Sequence, residues 1–128
     1  MSNLISSHLG VHATALPLRE QRMQVIASNL ANADTPNYKA RDLEFQSVLE
    51  NAARNRPPGG NRAERVPGSL DLAAQLFERA GVQPSLDGNT VDADTERAAY
   101  GRAALEYRAS LSFLESKVRS MLTAITGQ

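Results

Sequence analysis

A mainly α-helical protein is predicted by this sequence, with long N- and C-terminal helices packing as a coiled coil around a largely irregular middle. Three observations carry that reading. Leu9, Leu16, Met23 and Leu30 recur every seven residues. Tyr100, Ala104, Tyr107, Leu111, Leu114, Val118, Met121 and Ile125 alternate spacings of four and three. Between the two stripes lies Pro57-Pro58-Gly59-Gly60, which no regular element continues.

Residues 1–34 make the first unit, with helix expected over 4–33. Ala13, Ile26 and Ala27 widen the heptad stripe. Arg19, Glu20, Gln21, Arg22 and Gln24 supply its wet face. Pro17 interrupts the pattern; a helix-interior proline costs about 3 kcal/mol. Either the helix kinks there, or ordered helix starts near that residue. The helix should stop at Asn32 to Asp34, because Pro36 pushes Thr35 out of the helical region and Asn tolerates left-handed backbone. Thr35 to Tyr38 then reads as a turn.

Residues 35–91 form the irregular middle. Tyr38, Leu43, Phe45, Val48 and Leu49 suggest an extended segment leading into a short helix. Residues 51–69 read as a mobile loop rich in Arg, Asn, Pro and Gly. Residues 69–80 are a possible short helix, with Ser69 as N-cap and Gly81 just past the end. Leu86 to Val91 carries an Asp-Gly turn signal and suits a small hairpin or a tight loop.

Residues 92–128 form the C-terminal helix. Asp92, Asp94 and Glu96 put negative charge at its start, where the helix dipole favours it. Lys117 and Arg119 lie towards its end, and Gly127 is a natural stop. Gly101 weakens the early turns by roughly 1 kcal/mol relative to Ala.

The bulk composition narrows the function. The 128 residues suffice for one small domain. Aromatics make up 5%, there is no Trp, and much of the apolar content is Ala, so a large self-contained core is not expected. Lys+Arg and Asp+Glu balance at 14 each, which leaves no electrostatic footprint for nucleic acid or anionic membrane. With no cysteine, disulfides, thiol catalysis and Cys-ligated zinc are excluded. Met1 to His8 lacks the basic and apolar regions of a cleaved signal peptide, and no apolar run is long enough to span a bilayer.

No chemistry-bearing constellation emerges. His8 and His12 share a helix face but lack a third ligand at motif spacing, so no metal is expected. Asp87, Asn89, Asp92, Asp94 and Glu96 fail the calcium-loop pattern in both registers, because Asp92 and Arg97 fall where Gly is needed. No phosphate loop, nucleophile elbow or zinc-hydrolase motif occurs, so neither an enzyme nor a cofactor is expected. Arg54, Arg56, Arg62 and Arg65 have no interleaved aromatics to stack bases. Two apolar stripes at opposite ends of the chain, around a middle poor in apolar side chains, favour assembly with partner subunits. The residues alone also leave open a free-standing helical module of regulatory or chaperone-like kind.

Ala27 to Lys39 (ASNLANADTPNYK) closely resembles the signature that ends the N-terminal helix in bacterial flagellar rod, hook and hook-associated axial proteins. Its extension Ala40-Arg41-Asp42, followed by Glu44-Phe45, and the segment Leu86 to Asp92 (LDGNTVD) are similar to proximal rod proteins of the FlgB type. The resemblance covers roughly residues 8–50 and 84–126. Asn37 departs from it, standing where the family usually has Gly, as does Pro17 within the first helix. Another short rod subunit of the same family is the nearest alternative.

The resemblance implies a structural subunit needed for motility, exported by the flagellar type III apparatus without a cleaved signal. It implies polymerisation through the terminal helices into the periplasmic proximal rod of the basal body, between the membrane ring with its export gate and the distal rod and hook. Implied partners are further copies, rod proteins of the FlgC, FlgF and FlgG types, and a FliE-type adaptor. The expected packing set is Leu9, Leu16, Met23, Ile26 and Leu30 against Tyr107, Leu111, Leu114, Val118, Met121 and Ile125. Asn29, Asn32, Thr35, Pro36, Tyr38 and Lys39 are expected to fix the turn and adjacent contacts.

Overall fold

The computed structural model describes residues 2–54, 76–81 and 85–127. Among the described residues five elements follow one another: α1 (Ser2–Ala31), β1 (Arg41–Leu43), α2 (Phe45–Arg54), β2 (Leu76–Glu78) and α3 (Ala93–Thr126). The chain is mainly helical, with its two long helices at the ends, as its stripes predict.

α1 runs unbroken through Pro17, so the alternative in which ordered helix begins there is corrected. The proline removes the hydrogen bond to the Ala13 carbonyl and crowds the preceding turn, at about 3 kcal/mol. Ala15 and Leu18, on either side of it, are buried. Full burial of a leucine contributes about 1.5–3 kcal/mol, enough to offset most of that penalty. Packing therefore overrides the local preference against helix.

α1 and α3 lie antiparallel in one continuous register. Asn29 bonds Glu96, Arg19 bonds Glu106, and His12 stacks on Phe113 with ring centroids 5.4 Å apart. Each step back along α1 matches an equal step forward along α3. The same register sets Ala15 level with Ser110 and Arg22 level with Ala103. Ala15, Ser110 and Ala103 are buried, so small side chains occupy the closest approach. Interhelical distance follows side-chain size at the contact. Leu18 and Ile26 are the large apolar side chains of α1 that are fully buried beside these small ones.

β1 and β2 pair antiparallel, with Asp42 opposite Phe77 and Leu43 opposite Leu76. A ribbon this short is not stable alone. It is held by a cluster in which Leu18, Leu43 and Val48 are buried and Phe45, Leu49 and Leu76 pack against them. α2 contributes three of those residues, and the extended-then-helical reading of 38–50 matches β1 and α2. The short helix expected over 69–80 is corrected at its end, where residues 76–78 are strand; residues 69–75 lie outside the described residues. Their backbone finds partners on β1, and the Arg79 N–H extends the pairing to the Ala40 carbonyl at 2.8 Å. The mobile loop expected over 51–69 needs correction at its start, since Asn51–Arg54 closes α2. The rest of it, with Arg56, Arg62 and Arg65, and the proposed cap Ser69, lie outside the described residues.

α3 starts and ends as its sequence dictates. Asp92 is the N-cap, accepting from the backbone N–H groups of Asp94 and Thr95. Gly127 closes the helix in left-handed conformation, its N–H donating to the Thr123 carbonyl.

Candidate assembly site

The end of α1 and the start of α3 meet through two loops, 32–40 and 85–92, zipped by hydrogen bonds. The Asn37 N–H donates to the Asp87 carbonyl at 2.8 Å, and the Thr90 N–H to the Tyr38 carbonyl at 3.0 Å. The Ala40 N–H donates to Thr90 Oγ1 at 2.8 Å, and Lys39 Nζ to the Gly88 carbonyl at 2.7 Å. Asn37 (φ 60) and Gly88 (φ 72) are both left-handed. The loop around Asp87-Gly88 is thus a tight turn clamped to the motif turn, rather than a hairpin of its own.

Asn89, buried, pins the turn that follows α1 from across the chain. Its side-chain amide donates to the carbonyls of Asn32, Ala33 and Thr35 at 3.0, 2.8 and 2.9 Å. Carbonyls outside regular structure need partners from elsewhere in the chain, and this amide supplies one. Asn32 tightens the same turn: its amide donates to the Ser28 carbonyl, and its Oδ1 accepts from Thr35 Oγ1 at 3.2 Å. Pro36 is exposed at the tip.

Asn29 is fully buried and anchors β1. Its Oδ1 accepts from the Arg41 N–H at 3.0 Å, and its Nδ2 donates to the Arg41 carbonyl at 2.7 Å. One side-chain amide thus covers an edge of the strand as a neighbouring strand would. The Tyr38 hydroxyl lies 3.4 Å from both Asn29 Oδ1 and Ser28 Oγ.

Beside Asn29 lies an ion network that ties α1, β1, β2 and α3 together. Arg22 grips Asp42 with both ends of its fork, at 3.2 and 3.3 Å. Arg79 approaches Asp42 at 4.0 Å and bonds Glu96 Oε1. Glu96 is 2% exposed, and its other oxygen accepts from Asn29 Nδ2 at 3.2 Å. Two carboxylates face two guanidinium groups, so the buried charge is neutralised as burial requires. At the next station, Arg19 bonds Glu106 and lies 4.9 Å from the Phe45 ring centroid. The Asp92 carboxyl, held by the N–H groups of Thr95 and Asp94, ionises below its ordinary range.

The sequence singled out Asn29, Asn32, Thr35, Tyr38 and Lys39, and the structure gathers all of them at this junction. It did not single out Arg22, Asp42, Arg79 or Asn89 as structural keys, and it read Glu96 as dipole charge and as part of a failed calcium-loop pattern. A signal was present. Ala15, Arg22 and Asn29 form a heptad line of their own, as do Glu96, Ala103 and Ser110, and a polar residue repeating inside a helix seam marks a buried network.

Of the expected packing set, Ile26 is buried, while Leu9, Leu16, Met23, Leu30, Tyr107, Leu111, Leu114 and Met121 are half-buried. Val118 and Ile125 are exposed, 39% and 80%, and Leu122 beside them is 56% exposed. α3 thus keeps an apolar flank that α1 leaves uncovered. A trough of about 390 Å³ opens between α1 and the ribbon. Val25, Leu43 and Leu76 give it apolar walls, and Gln21, Gln24 and Arg41 are among its polar lining. Among the described residues no helix is long and apolar enough to cross a membrane, and no three ligating side chains gather to hold a metal.

The profile of a family described as flagella basal body rod protein matches residues 9–39. The chain is 40% identical over 121 residues to the flagellar basal body rod protein FlgB of Cereibacter sphaeroides, covering 94% of each. It is 38% identical to that of Salmonella typhimurium, covering 99% of each, and 38% identical to that of Escherichia coli, covering 98% of this chain and 97% of the other.

Proposed function

This chain belongs to the family of the flagellar basal body rod protein FlgB, and from that premise we propose how it acts as a structural rod subunit. It is not an enzyme; its work is to present helical surface to neighbours. In this reading the subunit sits in the proximal rod, between the membrane ring with its export gate and the distal rod. It contacts further copies, rod proteins of the FlgC, FlgF and FlgG types, and a FliE-type adaptor. It reaches the periplasmic space through the flagellar export apparatus, without a cleaved signal.

One observation carries the reading: a chain similar end to end to FlgB proteins leaves the α3 flank of Val118, Leu122 and Ile125 uncovered by its own α1. Apolar side chains in a row on an otherwise polar helix favour a partner over water. The antiparallel α1–α3 pair forms the rod-building unit, and its flanks supply the contacts of the expected packing set. The junction of motif turn and Asp-Gly loop fixes how the two helices leave the ribbon.

The test is a strain lacking only this gene. Membrane rings without rods and loss of swimming, both restored by the wild-type chain, are the expected result. Intact rods and normal swimming in that strain would refute the proximal rod assignment.

A further inference from the structure

Arg41 lines the trough, is exposed, and has no partner for its guanidinium among the described residues. Apolar walls and an idle cation together describe a surface built for an occupant with an apolar ridge and a carboxylate.

The chain carries such a ridge. Leu111, Glu115, Val118 and Leu122 are spaced four, three and four apart, so they share one face of α3. Of the carboxylates on α3, Asp94 is paired with Arg97, Glu96 with Arg79 and Glu106 with Arg19. Glu115 alone among them has no partner among the described residues. It stands between exposed Val118 and Leu122 on one side and half-buried Leu111 on the other.

We propose that the trough between α1 and the β1–β2 ribbon receives the α3 ridge Leu111–Glu115–Val118–Leu122 of a second copy, pairing Arg41 with Glu115 across the contact. This rests on the rod-subunit reading and names the pairing within it. It is a helix-in-groove contact, in which apolar knobs give affinity and the ion pair sets orientation. Trough and ridge are different patches of the chain, so the contact is head-to-tail and leaves each copy a free patch for the next, as an open rod requires.

Charge reversal in the deletion strain tests it. Arg41→Glu and Glu115→Arg should each lower incorporation into purified basal bodies about tenfold or more, because like charges then meet across the contact. The double variant carrying both should restore it. The purified single variants should keep wild-type unfolding curves, since both side chains are exposed and have no partner among the described residues. The chain has no cysteine, so a chain carrying Gln24→Cys and Leu122→Cys offers a second reading. In the α1–α3 register these positions lie about 30 Å apart within one copy at 1.5 Å per residue, so any disulfide ladder from basal bodies is between copies. Normal incorporation of both single variants, failure of the double to rescue, or absence of the ladder each overturns the pairing. Failure of rescue alone would move the occupant to a different rod subunit. The rod-subunit reading stands or falls separately, on the deletion strain itself.

Discussion

Asn29 and Glu96, 67 residues apart in sequence, share a hydrogen bond of 3.2 Å where neither side chain reaches solvent. That bond joins the last turns of α1 to the first turn of α3, and Arg79 completes it from β2. Glu96→Ala leaves Arg79 facing an empty site. Removing one partner of a buried pair costs about 3–5 kcal/mol, and the part-exposed Arg79 favours the lower end of that range. Glu96→Gln keeps an acceptor for Asn29 and should lose less. Urea unfolding of the purified chain checks the order; equal midpoints for wild type and Glu96→Ala would contradict the role given to the network.

Asn89 makes a sharper comparison. Its amide feeds the carbonyls of Asn32, Ala33 and Thr35. Asn89→Ala leaves them without that donor, at about 1–3 kcal/mol. Asn89→Asp is nearly isosteric yet sets a carboxylate oxygen against the same carbonyls. It should destabilise more than alanine does, the reverse of what side-chain volume alone predicts. Amide exchange at the end of α1 should accelerate in the same order.

Gly88 has φ +72, and a Cβ there would lie 2.5 Å from Asn37 Oδ1. The oxygen ends a side chain and can swing away, so backbone strain dominates the penalty of Gly88→Ala, at about 1–2 kcal/mol. Asn37→Gly removes the clash and suits its own φ of 60. The double variant should be more stable than Gly88→Ala alone, and a thermal melt decides.

These junction residues show what the sequence made legible. The two long helices were readable because apolar spacing survives any detail of packing. The capping of α3 by Asp92 and Gly127 was readable because caps are local chemistry. β2 was not, because residues 76–78 take their conformation from β1, far away in sequence. Part of the α1–α3 seam was hidden for another reason. Ala15, Ala103 and Ser110 are inconspicuous in a hydrophobic pattern, yet small size is what lets the helices close there. Asn29 stood out only through the family resemblance; its role as a side-chain substitute for a strand depends on where Arg41 comes to lie.

Acid should loosen the start of α3 through Asp92. Its carboxyl ionises below the ordinary value of 3.8 in the folded chain, because the N–H groups of Thr95 and Asp94 bond the charged form. A depressed folded value means that the contribution is fully present above pH 3.8 and is lost as pH falls through the lower folded value. Asp92→Asn retains a capping oxygen that does not titrate. The wild type should therefore lose more stability than Asp92→Asn across that acid range, measured by urea midpoints at each pH. Parallel curves for the two proteins would remove Asp92 from the account.

Leu114 and Val118 separate folding from assembly. Leu114 is half-buried, so Leu114→Asp forces a carboxylate against packed apolar atoms and should lower the stability of the isolated chain as well as its assembly. Val118 is exposed on the flank that α1 leaves open. Val118→Asp should therefore leave the isolated chain within about 0.5 kcal/mol of wild type, as surface substitutions do. Within a rod the same carboxylate would meet a neighbour's apolar surface and block incorporation. Val118→Asp with a wild-type unfolding curve and no swimming locates a subunit contact at the flank. Wild-type swimming by Val118→Asp would mean that the flank faces water in the rod, and the contacts would then have to lie elsewhere on the helix pair.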